Sequence, residues 1–272
     1  GVKLVNAGLQ PVFYAGLRSC LAVVFVWAWL VYKGRPPRIR RASLGAGLLM
    51  GVFFAAEFLC LFIALDLTSV GRASVIMYSM PVWYAGLAHF GLGERTSPLK
   101  ALGLALAFAG CAWALLSRPS TGEASLVGDL CALAAAWGWA LTAFVARRPV
   151  MRAEGPEMQL FWMVLVSGPI LLLAAPFFGP LIRELQPLHL LVLLLQSSVI
   201  VAGVFIAWLW LLSVYPSSTV ASFSFLTPVL SILLGGLFLG ETLNGAILGS
   251  VLLVAIGIVL INRPARASGG PR

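Results

Sequence analysis

Apolar residues run along this chain in long blocks, separated by short polar and turn-forming stretches. A helix needs about 20 mostly apolar residues to cross the hydrocarbon core of a bilayer. Segments of that length lie at 11–32, 42–65, 70–92, 98–117, 126–146, 158–178, 188–214, 217–239 and 245–262. The punctuation supports these cuts: Gly34-Arg35-Pro36-Pro37, Thr96-Ser97-Pro98, Arg118-Pro119-Ser120, Gly155-Pro156 and Tyr215-Pro216-Ser217 each break a helix. The connections are too short to hold a soluble domain. The pattern predicts an all-α integral membrane protein with nine visible spans.

Composition leads to the same solvent. Apolar residues make up 61% of the 272 and charged residues 10%, against roughly 45–50% and about 25% in soluble domains. So few charges cannot cover so much apolar surface in water. The net charge of +9 does not point to nucleic acid, because the basic residues sit in short clusters between apolar runs and form no continuous stripe. Cys20, Cys60, Cys111 and Cys131 lie inside or at the edges of apolar runs without metal-ligand spacing, so they read as small packing residues. No metal or cofactor site is expected. No cleavable signal peptide is visible, and Gly1 to Gln10 reads as a short loop after something removed or not included.

Lys and Arg sort the loops. Alternate connections, together with the tail, hold thirteen of the 18: Lys33, Arg35, Arg38, Arg40, Arg41, Arg95, Lys100, Arg147, Arg148, Arg152, Arg263, Arg266 and Arg272. The intervening connections hold Lys3, Arg72, Arg118 and Arg183. Basic residues concentrate on the cytoplasmic side of membrane proteins. The first set and the C-terminus are therefore expected inside, in a cell membrane, with a bacterial inner membrane the favoured setting, and Gly1 outside.

The chain also repeats itself. Pro81 and Gly93-Glu94 recur as Pro228 and Gly240-Glu241 at an offset of 147, and Gly110 falls onto Gly257 at the same offset. At that offset the span at 126–146 maps upstream of Gly1. The expected repeat unit is thus five helices, ten in the intact protein, with the first absent here. Five is odd, so the second unit enters the membrane upside down relative to the first. Such inverted repeats underlie alternating access. The expected units are 1–117 (helices two to five), a linker at 118–125, 126–262 (helices six to ten), and a cytoplasmic tail at 263–272.

The run Pro81, Gly93-Glu94-Arg95, Gly103, Gly110, its echo Pro228, Gly240-Glu241, Gly249, Gly257, and Trp139-Ala140 leading to Arg147-Arg148 resemble the EamA-type members of the drug/metabolite transporter superfamily. The likeness covers essentially the whole visible chain. It implies a ten-helix, five-plus-five inverted repeat, cytoplasmic termini, and export of amino acids or other small metabolites. It also implies a central cavity lined by helices one, three, four, six, eight and nine of ten. The family's first helix, with its own Trp-containing motif, has no counterpart here.

Ionisable groups deep in a span are costly and default to functional candidates. Glu57 sits past the middle of its span with no charge near it along the helix. It is expected to serve as an ammonium or proton site, or as a buried hydrogen-bonded lock between helices. Arg18 can pair with a carboxylate such as Glu57, snorkel, or touch the solute. His89, near the cytoplasmic end of its helix, is a coupling candidate. Pro81 and Pro228 each delete an amide donor and free carbonyls toward a cavity, at matched positions of the two halves. Ser74, Met77 and Tyr78 share a face with Pro81, and Ser224 and Phe225 share one with Pro228, so these five are expected to bind substrate together with Glu57 and Trp139, with the two prolines as helix breaks that gate the site. Tyr78 is the favoured aromatic contact. Trp137 and Trp139 lie about 200° apart around a helix, so at most one faces inward, and the family position favours Trp139. Trp208 and Trp210 pose the same choice, which stays open. Trp27 and Trp29 read as interfacial belt residues. Glu94 and Glu241 are expected to cap the helices that follow them.

These residues predict an alternating-access exporter of small metabolites, with aromatic or neutral amino acids foremost. A channel or passive facilitator, or a multidrug or organic-cation exporter, are the alternatives. Proton coupling is expected to involve the membrane-embedded ionisable groups. Nothing supports an enzyme: there is no H-E-x-x-H, no pair of intramembrane aspartates, and no Ser with a usefully placed His.

Overall fold

The computed structural model describes residues 8–117, 125–230 and 245–263. Among them the chain is helical, with a lone bridge between Leu9 and Ile182. Helices start where local chemistry satisfies their free amide donors. In α1 (Pro11–Tyr32) the Gln10 side chain accepts from the Phe13 N–H at 2.6 Å. After α2 (Arg41–Leu67), Ser69 caps α3 (Val70–Met77), and α4 (Met80–Gly91) follows directly. Ser97 caps α5 (Pro98–Leu116) and Ser125 caps α6 (Leu126–Ala146). Then come α7 (Pro156–Ala174), α8 (Pro187–Leu195), α9 (Phe205–Val214), α10 (Ser217–Ser222) and α11 (Gly245–Asn262). Proline opens α1, α5, α7 and α8, where its missing N–H costs nothing.

Six helical stretches among the described residues are long and apolar enough to cross a membrane: Pro11–Tyr32, Arg41–Leu67, Pro98–Leu116, Leu126–Ala146, Pro156–Phe178 and Pro187–Val214. The stretch expected at 70–92 is two helices, with the break at Tyr78 and Ser79 just before Pro81. The stretch expected from 217 breaks in the same way. A 3₁₀ turn at Phe223–Phe225 precedes Pro228, and residues 226–230 are helical again. A proline inside a helix removes one hydrogen bond and crowds the carbonyl one turn back, so each break falls on its N-terminal side. Tyr78 and Phe225, which stand at these breaks, are 147 residues apart. Between α8 and α9, Gln196–Val204 takes the wider π-helical pitch. There the Ser197 and Ser198 hydroxyls donate to the carbonyls of Leu193 and Leu194, both at 2.7 Å.

Loop contacts divide the ends of the bundle into two faces. Lys33 pairs with Glu157 at 3.1 Å and Arg40 with Glu154 at 3.9 Å, while Glu94 meets Arg147 and Ser217. These connections therefore share one face. On the other, the Gln10 N–H donates to the Leu181 carbonyl and Arg72 pairs with Asp129.

Helices α5 and α11 cross at van der Waals contact of their backbones. A methyl group built on Gly257 would stand 2.6 Å from Gly103 O, and one on Gly110 would stand 2.8 Å from Ser250 O. Only glycine permits such an approach, a packing mode favoured in lipid. The pairing is reciprocal: 103 meets 257 and 110 meets 250, while 103 and 250, like 110 and 257, are separated by the repeat offset of 147. Antiparallel helices that exchange partners in this way are related by a local two-fold axis. The α1–α7 pair is also closely packed: Ser19 Oγ lies 3.2 Å from Ser167 Oγ, and a methyl on Gly168 would meet Cys20 Sγ at 2.7 Å.

Candidate functional site

Helix α2 carries Phe54, Glu57 and Phe58 into the main core. It is held there by α6, whose Gly138 lies so close that an added methyl would stand 3.2 Å from the Cα of Glu57. Glu57 is 6% exposed, and its Oε2 has no hydrogen-bond partner. Across from α2, the Arg18 guanidinium of α1 lies over the Phe58 ring, 4.9 Å from its centroid. Its Nε is buried and likewise unpartnered. Arg18 and Glu57 are near enough to feel each other's charge, yet neither makes an ion pair or hydrogen bond among the described residues. One turn from Arg18, the Tyr14 hydroxyl is also buried without a partner.

One turn along α2 from Glu57, an enclosed cavity of about 10 Å³ is lined by Phe54, Trp139, Thr142, Met163, Phe205 and Trp208, among others. That is room for about one water. Phe54 packs edge-on against Phe58 at 5.0 Å and against Phe205 at 5.7 Å, so an aromatic row runs from this cavity to Arg18. Trp139 therefore faces inward, while Trp137 packs on Trp83 at 5.2 Å. The choice left open by the sequence is settled here too: Trp208 lines the cavity and Trp210 is 51% exposed.

The remaining candidates lie elsewhere. Tyr78 and Phe225 belong to a second cluster built on α5 and α11, with Phe225 6.3 Å from Phe108. Ser74 and Met77 are partly buried on α3. The Ser224 hydroxyl donates to the Ala221 carbonyl at 2.8 Å, and Pro81 and Pro228 are both buried. His89 accepts the Thr96 N–H on Nδ1 at 3.1 Å and lines an open groove between α4 and α5 of about 500 Å³. The structure thus gathers Glu57, Arg18 and Trp139 in one region and sets the residues of the two helix breaks in another.

Glu94 does not cap the helix that follows it, which Ser97 caps instead. It reaches the start of α10 in the other half of the chain. One carboxylate oxygen accepts the Ser217 N–H at 3.1 Å and its hydroxyl at 2.5 Å. The second accepts the Ser218 N–H at 3.2 Å and its hydroxyl at 3.0 Å. Arg147 adds a bond at 3.3 Å and donates onward to the carbonyls of Leu212 and Ser213, at 2.7 and 3.3 Å. Burial pushes the Glu94 carboxyl up, but the hydrogen bonds from Ser217 and Ser218 outweigh it and hold it below the ordinary carboxylate range. The available sequence signal is Pro216-Ser217-Ser218, a helix start that welcomes an anion. Glu241 lies outside the described residues. On the opposite face, Asp129 of α6 takes the Arg72 guanidinium and the Thr68 hydroxyl, the latter at 3.1 Å. No motif in the sequence marks Asp129, whose partner Arg72 lies 57 positions away.

Comparison with known proteins places this architecture. The chain is 29% identical over 275 residues to the uncharacterized transporter YvbV of Bacillus subtilis, covering 97% of this chain and 87% of that one. It is 25% identical to a probable amino-acid metabolite efflux pump of Salmonella typhimurium (98% and 93% covered) and 27% identical to one of Escherichia coli (93% and 86%). A crystal structure at 20% identity superposes with a TM-score of 0.82, covering 96% of this chain and 91% of that one, and so shares its fold. The model of the EamA-like transporter family matches residues 1–116 and 126–263. This chain belongs to the EamA-like transporter family, multi-pass membrane proteins that carry solutes and are not enzymes.

Proposed function

We propose that the protein is an alternating-access exporter of small organic solutes, amino acids foremost, built from two units of inverted orientation at 1–117 and 126–262. The observation that carries this reading is the reciprocal α5–α11 crossing, in which 103 meets 257 and 110 meets 250. Two antiparallel units related by an axis in the membrane plane can exchange roles and expose one site to either side. Ties between the halves on both faces, with a cavity of only about 10 Å³ one turn from Glu57 among the described residues, support a closed intermediate of such a cycle.

The loops that carry most of the Lys and Arg face the cytoplasm in this reading, and the tail with them, in a bacterial inner membrane. Glu57 and Trp139 belong to the solute site. Tyr78, Ser74, Met77, Ser224 and Phe225, beside the breaks at Pro81 and Pro228, move as the two units rock. Arg18 and Glu57, rather than the hydrogen-bonded His89, are the groups available for charge coupling. The amino-acid preference is supported by the named function of the Salmonella and Escherichia relatives. Uptake of radiolabelled aromatic amino acids into proteoliposomes, with and without a pH gradient, should saturate. A flat trace for every solute class tried would remove the carrier, and non-saturating currents would replace it with a channel.

A further inference from the structure

Arg18 and Glu57 approach the core from the same side of the membrane. Arg18 lies seven residues from the start of α1 and Glu57 ten residues from the end of α2. These two helix ends share a face, so the groups sit roughly 10 and 15 Å below it at 1.5 Å per residue. Glu57 is buried and Arg18 half-buried, and each holds a buried polar atom without a partner. A charge withdrawn from water and left bare is costly, and a direct ion pair would recover much of that cost. Instead the guanidinium rests on Phe58, the next residue along α2 from Glu57 and about 100° further around that helix. The two charges are held side by side and apart. Beyond them, the aromatic row through Phe54 leads to the cavity lined by Trp139 and Trp208.

A cation alone would satisfy Glu57 and leave Arg18 bare, and an anion alone would do the reverse. A molecule with an ammonium and a carboxylate on one carbon satisfies both. We propose, resting on the carrier reading above, that Arg18 and Glu57 form a two-point site for a zwitterionic α-amino acid. Arg18 takes the carboxylate, Glu57 takes the ammonium, and the side chain points toward Phe54 and Trp139, where the one-water cavity must widen as the two units part. Selectivity then comes from the penalty of leaving one buried charge unpaired, as in other sites that reject analogues lacking a single polar group.

The test is counterflow of radiolabelled phenylalanine in proteoliposomes, with competition by phenylalanine, phenethylamine and 3-phenylpropionate. The amine and the acid should each compete about 10- to 100-fold more weakly than the amino acid, the span expected for one charge-assisted hydrogen bond. Glu57→Gln should narrow the gap between amino acid and acid, and Arg18→Gln the gap between amino acid and amine. Arg18→Lys, which keeps the cation, should preserve the ranking. The wild-type ranking needs no variant, so it decides even if a substitution fails to fold. If the amine or the acid competes as well as phenylalanine, or if both glutamine variants keep the wild-type ranking, the two-point site is wrong. If other solutes exchange but zwitterions have no advantage, only this proposal falls. If no solute of any class exchanges, the carrier reading falls and takes the site with it.

Discussion

On one face of the bundle, Glu94 accepts four hydrogen bonds from Ser217 and Ser218 and a fifth from Arg147, with side-chain exposures of 17% for Glu94 and 15% for Arg147. On the other face, Asp129 binds Arg72 and Thr68, and the Arg72 side chain is 46% exposed. Both ties join parts of the chain on either side of the undescribed stretch at 118–124. Their construction differs in one physical respect. The Glu94 tie is withdrawn from water and gathers four helix ends, those of α4, α6, α9 and α10, on one carboxylate and one guanidinium. The Asp129 tie is a pair between α3 and α6 with one partner in solvent. Charge-assisted bonds gain strength as water is excluded, and exposed pairs contribute about 0–1 kcal/mol. In the alternating-access cycle proposed above, closing the Glu94 face would therefore be the more cooperative event, and reopening it would break several bonds together.

Removing the carboxylate tests this most severely. Glu94→Ala strands the Arg147 guanidinium and the N-terminus of α10. The expected cost is about 3–5 kcal/mol, the range for a buried pair that loses one member. Thermal unfolding in detergent should fall accordingly, and amide exchange over 213–222 should rise well above that of α5. Unchanged exchange there would mean that the tie holds nothing closed. Acid should act on the same bond with a smaller effect, since a protonated carboxyl still accepts hydrogen bonds. The folded-state pKa of Glu94 lies below its ordinary value. Its contribution is thus fully present above the unfolded-state pKa and is lost only as pH falls through the lower folded-state one. Protection of 217–222 should then survive the titration of ordinary glutamates near about pH 4.3 and disappear below it. Loss of protection at or above that pH would place Glu94 in water.

The contrast between the ties also shows what a sequence can reveal. Lipid forces about 20 apolar residues per crossing, so α1, α2, α5 and α6 fall within a residue or two of their expected bounds. Basic residues grouped the loops, and the pairs Lys33–Glu157 and Arg40–Glu154 bring two of those loops onto one face. Glu57 stood out because a charge in an apolar run has few acceptable surroundings. Glu94 was visible as a residue but not in its role, because its partner lies 123 positions away and only the packed fold brings them together. The π-helical stretch was hidden as well, since it contains no proline; Ser197-Ser198, bonding back to the preceding turn, was its only trace. Trp208 and Trp210 could be told apart only once α9 had a neighbour.

The smallest effect belongs to the exposed tie, and it sharpens the contrast through its response to salt. Asp129→Asn keeps an acceptor for the Thr68 hydroxyl and removes only the charge facing Arg72, so the loss should be at most about 1 kcal/mol. Because Arg72 is largely in water, that difference should shrink toward zero as ionic strength rises to about 1 M, where screening acts within roughly 3 Å. The Glu94→Ala deficit should respond much less, since its partly buried bonds are screened less than an exposed pair. Parallel melts of both variants at low and high salt separate the two cases. If the Asp129 deficit resisted salt while the Glu94 deficit faded, burial would have been assigned to the wrong face, and with it the side of the membrane that opens at the greater cost.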